Sequence, residues 1–202
     1  MLAGPTSTPP SNECREPVCG ATGAKHRFTW PEGRCVASLD TDMTPDTLRL
    51  DRFCGHEVFS VERVEVYVQR PETDDDRLLL NLEIHGGKAV DVGVPETEQS
   101  PEATVEIWLP MPSLDVASLV GQSIHVPGAW LDEDGEAKWN RLYVFEHEDL
   151  SDIHATFVAV ADGKCQMSLR GSARDPNHYD GSKEAASVSA SFSFSLEGLQ
   201  NR

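Results

Sequence analysis

The clearest structural pattern in the sequence is Val188-Ser189-Ala190-Ser191-Phe192-Ser193-Phe194-Ser195-Leu196. An apolar residue occupies every even position and a serine every odd one. This period of two is typical of a β-strand with one face on a core and the other in water. Because one strand cannot bury Phe192 and Phe194 by itself, the sequence predicts a second layer of strands packed against it.

Earlier segments show the same alternation. Aliphatic residues at every second position predict strands with one buried face at 64–68, 78–84 and 105–109. The segment 153–161 is apolar on both faces, which predicts a strand in the middle of a sheet. The chain is therefore expected to be rich in strands.

Turn signals separate these strands. Gly86-Gly87 and Asp162-Gly163 predict turns, and Asp134-Gly135 predicts a hairpin tip. Only 113–120 has helical character, as a single turn capped by Ser113. About ten strands with little helix predict an all-β fold, a two-sheet antiparallel β-sandwich of the jelly-roll type, with a barrel as the alternative.

Composition divides the chain into two parts. Residues 1–33 are rich in Pro, Ser, Thr and Gly, and their prolines interrupt any regular ladder, so they predict an extended N-terminal arm. Strand signals begin at 34–39. Residues 34–202 are therefore predicted to form a single β-sandwich domain.

The chain is strongly acidic, with 34 acidic against 17 basic residues and a formal net charge of -17. Such a surface repels nucleic-acid phosphates and favours basic partners or cations. The sequence has no apolar run long enough to span a membrane, and residues 1–17 lack the pattern of a signal peptide.

The five cysteines are unevenly placed, because four of them fall within the first 54 residues. This even-numbered cluster predicts two disulfides in an oxidising compartment and hence an extracytoplasmic protein, either secreted or in the cell envelope. Its members are Cys14, Cys19, Cys35 and Cys54. Reduced thiols, or a zinc site completed by His26 or His56, are the alternatives. Cys165 is in phase with Met167 and Leu169, which indicates a buried thiol.

Two groups of residues carry metal-ligand chemistry. Asp132, Asp134 and Glu136 surround a glycine and offer the oxygen ligands that calcium prefers, although a solvated hairpin tip explains them better. His147 and His154 stand at the ends of two neighbouring strands among several carboxylates, a mixture that suits zinc or a similar ion. The alternative is a polar turn with two surface histidines.

Two aromatic residues lie on polar strand faces. Tyr67 and Trp108 alternate with polar neighbours, and an exposed aromatic ring can stack on a sugar or anchor a protein. Packing under a loop or under the N-terminal arm is the alternative.

The sequence lacks a phosphate loop, a nucleophile elbow, a zinc-binding His-Glu-x-x-His helix and a dinucleotide-binding fingerprint. The predicted architecture, the cysteine cluster and the acidic surface favour a non-enzymatic binding or assembly protein, exported or at the cell surface. Its expected partner is a protein or a carbohydrate, and no cofactor is expected. The alternatives are a calcium-supported carbohydrate-binding module, an acidic inhibitor or immunity-like protein for a basic partner, and a metal-dependent hydrolase.

Overall fold

The structure is a computed structural model that describes residues 46–69, 78–131 and 137–199. The predicted arm at 1–33 and the predicted strand at 34–39 lie outside these residues. Strands account for most of the described chain, and three short 3-10 helices account for the rest of its regular structure. The all-β prediction is therefore confirmed.

Twelve strands form within the described ranges. In chain order they are β1 Thr47–Arg52, β2 Gly55–Gln69, β3 Leu78–Val92, β4 Ala103–Met111, β5 Ser123–Val126, β6 Trp130–Leu131, β7 Ala137–Lys138, β8 Arg141–Tyr143, β9 His147–Asp149, β10 Ser151–Ala161, β11 Lys164–Ala173 and β12 Ala186–Ser195. The 3-10 helices span Glu96–Glu98, Val116–Leu119 and Leu196–Leu199.

Ten of these strands belong to one antiparallel sheet, in the order β5-β10-β11-β12-β1-β2-β3-β4-β8-β9, and β6 pairs with β7 separately. The predicted division into two sheets is not confirmed. β12 lies fourth in this order, with β11 and β1 on its two sides.

The sheet curls until its two ends approach each other. β9 is the last strand of the sheet and β10 is the second, yet only Leu150 separates them along the chain. Because two residue steps span at most about 7 Å, these strands must be close in space. The Leu150 amide also donates to the carbonyl of Asn140, beside β8, over 2.8 Å.

The curled sheet encloses one core. Inner-face side chains from both ends of the strand order join a single cluster, including Val126 from β5 and Leu142 from β8. Phe59, Phe157 and Phe192 are its largest members and are completely buried. The alternation in the opening stretch thus has the predicted effect, because its apolar positions face this core and its serines face outward.

The turn predicted at Gly86-Gly87 is wrong, because β3 continues through both glycines to Val92. A Cβ on Gly86 would lie 2.9 Å from the carbonyl oxygen of Ala103 and 3.0 Å from the Cβ of Phe59. Here glycine serves close packing between strands, and the opposite strand shifts register at the same level.

Two other local predictions have different outcomes. Asp162 and Gly163 both have positive φ, 51° and 72°, in the tight turn between β10 and β11, as predicted. The helical turn predicted at 113–120 is shorter, a 3-10 helix over Val116–Leu119 without a side-chain cap. Ser113 accepts the Asp115 amide instead, and burial of Val116 and Leu119 anchors the segment.

None of the helices in the described ranges is long and apolar enough to cross a bilayer.

Candidate functional site

The outer face of the sheet carries two parallel rows of polar side chains. The hydroxyl row runs across β5, β10, β11, β12, β1 and β2 as Ser123, Thr156, Ser168, Ser191, Thr47 and Ser60. The basic row lies two residues further along the first five of these strands as His125, His154, Arg170, Ser189 and Arg49. Neighbours within a row are about 4.8 Å apart, the spacing between hydrogen-bonded strands.

A cavity of about 560 Å³ lies over these two rows. Its wall contains Arg49, Arg170 and His154, together with six hydroxyl side chains, and no carboxylate occurs among its described lining residues. Cavities of this size can hold small molecules, but such sites are usually apolar. This polar wall is suited to a polar ligand.

The two arginines of the basic row differ in their partners. Arg49 donates to Asp51 from Nε and from one terminal nitrogen, and the shortest contact, 2.6 Å, joins that terminal nitrogen to Oδ1. The hydrogen bond to Asp51 raises the pKa of Arg49, and the same bond lowers the pKa of Asp51. Arg170 is exposed and makes no hydrogen bond or ion pair with any described residue. Its guanidinium is available to a ligand.

One end of the basic row forms a compact cluster of His125, Asp152 and His154. The Nε2 atoms of His125 and His154 lie 2.9 and 3.4 Å from Oδ1 of Asp152. The two imidazole rings stack with centroids 4.4 Å apart at 17°. The hydrogen bond from His125 lowers the pKa of Asp152, and the charges of both histidines add to this effect.

A β-bulge brings the carboxylate into this cluster. His125 and His154 are direct partners across β5 and β10, so their rings share one face. The pairing of β10 with β11 shifts between Ser151 and His154, which inserts an extra residue. Asp152 lies in this bulge with φ of 49°, a conformation that aspartate tolerates better than most residues.

The predicted metal ligands have different positions. His154 belongs to a group whose three donor atoms all lie within 4.8 Å of one another, but His147 is not a member of that group. His147 instead lies beside the ring of Tyr143. Asp132, Asp134 and Glu136 lie outside the described residues. Sequence reasoning missed His125, although its alternation with Ile124 and Val126 already placed it on a polar face.

The predicted aromatic residues Tyr67 and Trp108 occupy one row, on either side of Asn81 across β2, β3 and β4. Tyr67 is 37% exposed. Trp108 is half-buried, and the ammonium group of Lys138 lies 5.3 Å from the centre of its ring.

We call this outer side of β2, β3 and β4, at 63–67, 81–85 and 104–108, the second face. Its next row, two residues away on each strand, contains three carboxylates. Glu65, Glu83 and Glu106 are cross-strand neighbours, a placement that repels. Hydrogen-bond donors beside the carboxylates offset part of this repulsion. Glu106 accepts bonds from the Trp108 indole at 3.1 Å and the Tyr143 hydroxyl at 3.0 Å.

A buried charge network lies at the end of β1. Arg52 donates from Nε and from a terminal nitrogen to the two carboxylate oxygens of Asp175, over 2.9 and 2.8 Å, and its other terminal nitrogen lies 3.3 Å from Glu57. All three side chains are completely buried. Burial alone would lower the pKa of Arg52, but the hydrogen bonds to Asp175 and Glu57 and the charge of Asp175 together outweigh it and raise the pKa.

Of the four clustered cysteines, only Cys54 is described, and its thiol is free in the structure. Its predicted partners Cys14, Cys19 and Cys35 lie outside the described residues, so the pairing stays a prediction. Cys165 is buried in the core, as predicted.

Comparisons with protein-family models, with curated proteins and with solved structures found no match to this chain.

Proposed function

We propose that this protein is a non-enzymatic binding protein that holds an anionic ligand in the cavity over its hydroxyl and basic rows. The ligand class is a small molecule that carries phosphate, sulfate or carboxylate groups. We also propose that it acts outside the cytoplasm, and the cysteine cluster supports this location.

The charged side chains of the cavity wall are the main support for this proposal. Acidic residues outnumber basic ones by 34 to 17 in the chain. The described wall of this cavity nevertheless contains two arginines, a histidine and no carboxylate. Arg49 and His154 are paired with Asp51 and Asp152, so Arg170 supplies the uncompensated positive charge of this wall, and such a charge attracts anions.

The hydrogen-bond donors that line the cavity are suited to binding oxyanions. A guanidinium group binds carboxylate or phosphate oxygens through two parallel hydrogen bonds, and Arg170 has no described partner that competes for it. Ser189 lies across from Arg170 on β12, and Ser168 lies two residues away on its own strand. Hydroxyl groups at these positions can donate to the remaining oxygens of the same anion.

The experiment is calorimetric titration with pyrophosphate, citrate and a sulfated disaccharide, each against the wild type and Arg170→Ala. We expect at least one probe to bind the wild type, and its affinity to fall at least about tenfold in the variant, because a charged hydrogen bond contributes about 1.5–3 kcal/mol.

Arg63→Ala is the matched control, since Arg63 is an exposed arginine on the second face. Binding should also weaken as salt rises, because exposed charges are screened. Equal affinity in wild type and Arg170→Ala, or no binding of any probe, would refute the proposal.

The second face favours a carbohydrate-binding module as a second candidate. Tyr67, Asn81 and Trp108 form a row of aromatic and amide groups beside the glutamates. Sugars are held by ring stacking together with hydrogen bonds to such groups. A glycan array should then show a ligand that Tyr67→Ala loses, whereas an array without any ligand would dismiss this candidate.

A further inference from the structure

We propose that His125, Asp152 and His154 form a binding site for a divalent transition-metal ion, with Zn²⁺ as the best match. This site goes beyond the proposed binding of an anion and does not depend on it.

The spacing of the donor atoms fits a single ion. Zinc binds imidazole nitrogen and carboxylate oxygen at about 2.0–2.2 Å, so neighbouring donors in a tetrahedron lie about 3.3 Å apart. The Asp152 oxygen lies 2.9 Å from one Nε2 atom and 3.4 Å from the other. All three donors lie within 4.8 Å of each other, so small side-chain rotations bring them to one centre.

The backbone holds these donors in place before any ion binds. Both histidines belong to paired strands, and the stacking of their rings limits rotation. The bulge that carries Asp152 is fixed by a 3.0 Å hydrogen bond from its amide to the carbonyl of Pro127. Ligands on strands are positioned more accurately than ligands on free loops.

The donor set selects the class of metal. Two imidazoles with one carboxylate suit zinc and related ions, whereas calcium and magnesium prefer a shell of oxygens. Three protein ligands leave a tetrahedral position open to an external group. Because His154 also lines the cavity, this open position is adjacent to the cavity in which we propose that the anion binds.

The test is calorimetric titration with zinc chloride alone, in a weakly coordinating buffer, on the full chain. The variants are His125→Ala, which removes one imidazole, and Asp152→Asn, which keeps a residue that tolerates positive φ. The matched control is His56→Ala, because His56 contacts Asp91 at 3.1 Å in another exposed histidine–aspartate pair. Free thiols are alkylated before the titration, so that a zinc site built from cysteines and His56 contributes to none of the four proteins.

We expect the wild type and His56→Ala to share a zinc site whose affinity falls at least about tenfold in the other two variants, since even outer-shell changes weaken metal sites by 10–100-fold. Imidazole nitrogen signals of His125 and His154 should shift in NMR spectra when zinc is added to the wild type. Arg170→Ala should keep this site, which separates the result from the anion proposal. Zinc binding that is the same in His125→Ala and wild type, with unshifted imidazole signals, would overturn the inference.

Discussion

Replacement of Arg52 by methionine should destabilise the protein more than any exposed charge substitution. Methionine fills a comparable volume without charge, so the change isolates the electrostatic role of the guanidinium. In the variant, the carboxylates of Glu57 and Asp175 stay completely buried while their shared counter-charge disappears. Glu57 retains only the amide and hydroxyl of Ser100, at 2.6 and 2.8 Å, among its described partners.

The complete burial of these ion pairs determines how much stability the variant loses. Removal of one partner from a buried ion pair costs about 3–5 kcal/mol, mainly because an uncompensated charge stays buried. Arg49→Met is the control, because Arg49 lies on the opposite face of the same strand. Its pair with Asp51 has side chains that are 43% and 46% exposed. An exposed pair of this kind contributes only about 0–1 kcal/mol.

The measurement is urea-induced unfolding at pH 7, monitored by tryptophan fluorescence, with wild type, Arg52→Met and Arg49→Met compared. A second substitution, Glu57→Gln, should restore part of the stability of Arg52→Met. It removes one unpaired buried carboxylate and keeps a hydrogen-bond acceptor for Ser100. If Arg52→Met and Arg49→Met lose the same free energy of unfolding, or if Glu57→Gln destabilises Arg52→Met further, the argument from buried charge is wrong.

Two further predictions follow from shifted pKa values. Burial raises the pKa of the Cys165 thiol to about 11, so we expect iodoacetamide at pH 8 to leave it unmodified in the native protein and to modify it after unfolding. If the other four cysteines form two disulfides, mass spectrometry will find a single modified cysteine in unfolded, unreduced protein, whereas a larger number would contradict the disulfide and export proposals. The hydrogen bond from His125 lowers the pKa of Asp152, and carbon NMR titration should show this pKa rising in His125→Ala. Because the native pKa is the lower one, the stabilisation is complete above the unfolded value of about 3.9 and disappears as the pH falls through the native pKa; an Asp152 pKa that is equal in both proteins would exclude the hydrogen bond.

The sequence predicts the strands better than their arrangement. Alternation identifies β12 and the inner faces of β3 and β4 because burial on one face imposes a period of two. It cannot identify pairing partners, because any two strands of the same alternation match equally well. The single sheet depends on such long-range pairings, for example β12 with β1. The prediction of a turn at Gly86-Gly87 was wrong for the same reason. Gly86 is required because a Cβ there would clash with Ala103 and Phe59, and both are distant in sequence.

The candidate site is predictable only in part. The sequence identifies His154 as a candidate ligand because carboxylates lie near it in the chain. It identifies Tyr67 and Trp108 as outward-facing because they alternate with the apolar positions of their strands. The partner of His154 is His125, on a strand 29 positions away, and the pairing of β5 with β10 decides this contact. Asp152 reaches both histidines only because a bulge inserts one residue, and bulges leave no period in the sequence.

The strand order also separates charges in a way that the net charge of the chain conceals. Along the outward positions of β2, Val58 and Ser60 belong to the face with the hydroxyl and basic rows, whereas Glu65 belongs to the carboxylate row. A surface selected only for solubility gains nothing from placing glutamates opposite each other, because like charges across strands lose up to about 1 kcal/mol per pair. In the glutamate row, Glu106 accepts hydrogen bonds from the Trp108 indole and the Tyr143 hydroxyl. The described wall of the cavity, in contrast, contains no carboxylate. This separation is the reason that we propose an anionic ligand for the first face and a carbohydrate for the second, and that each proposal is tested with its own substitution, Arg170→Ala or Tyr67→Ala.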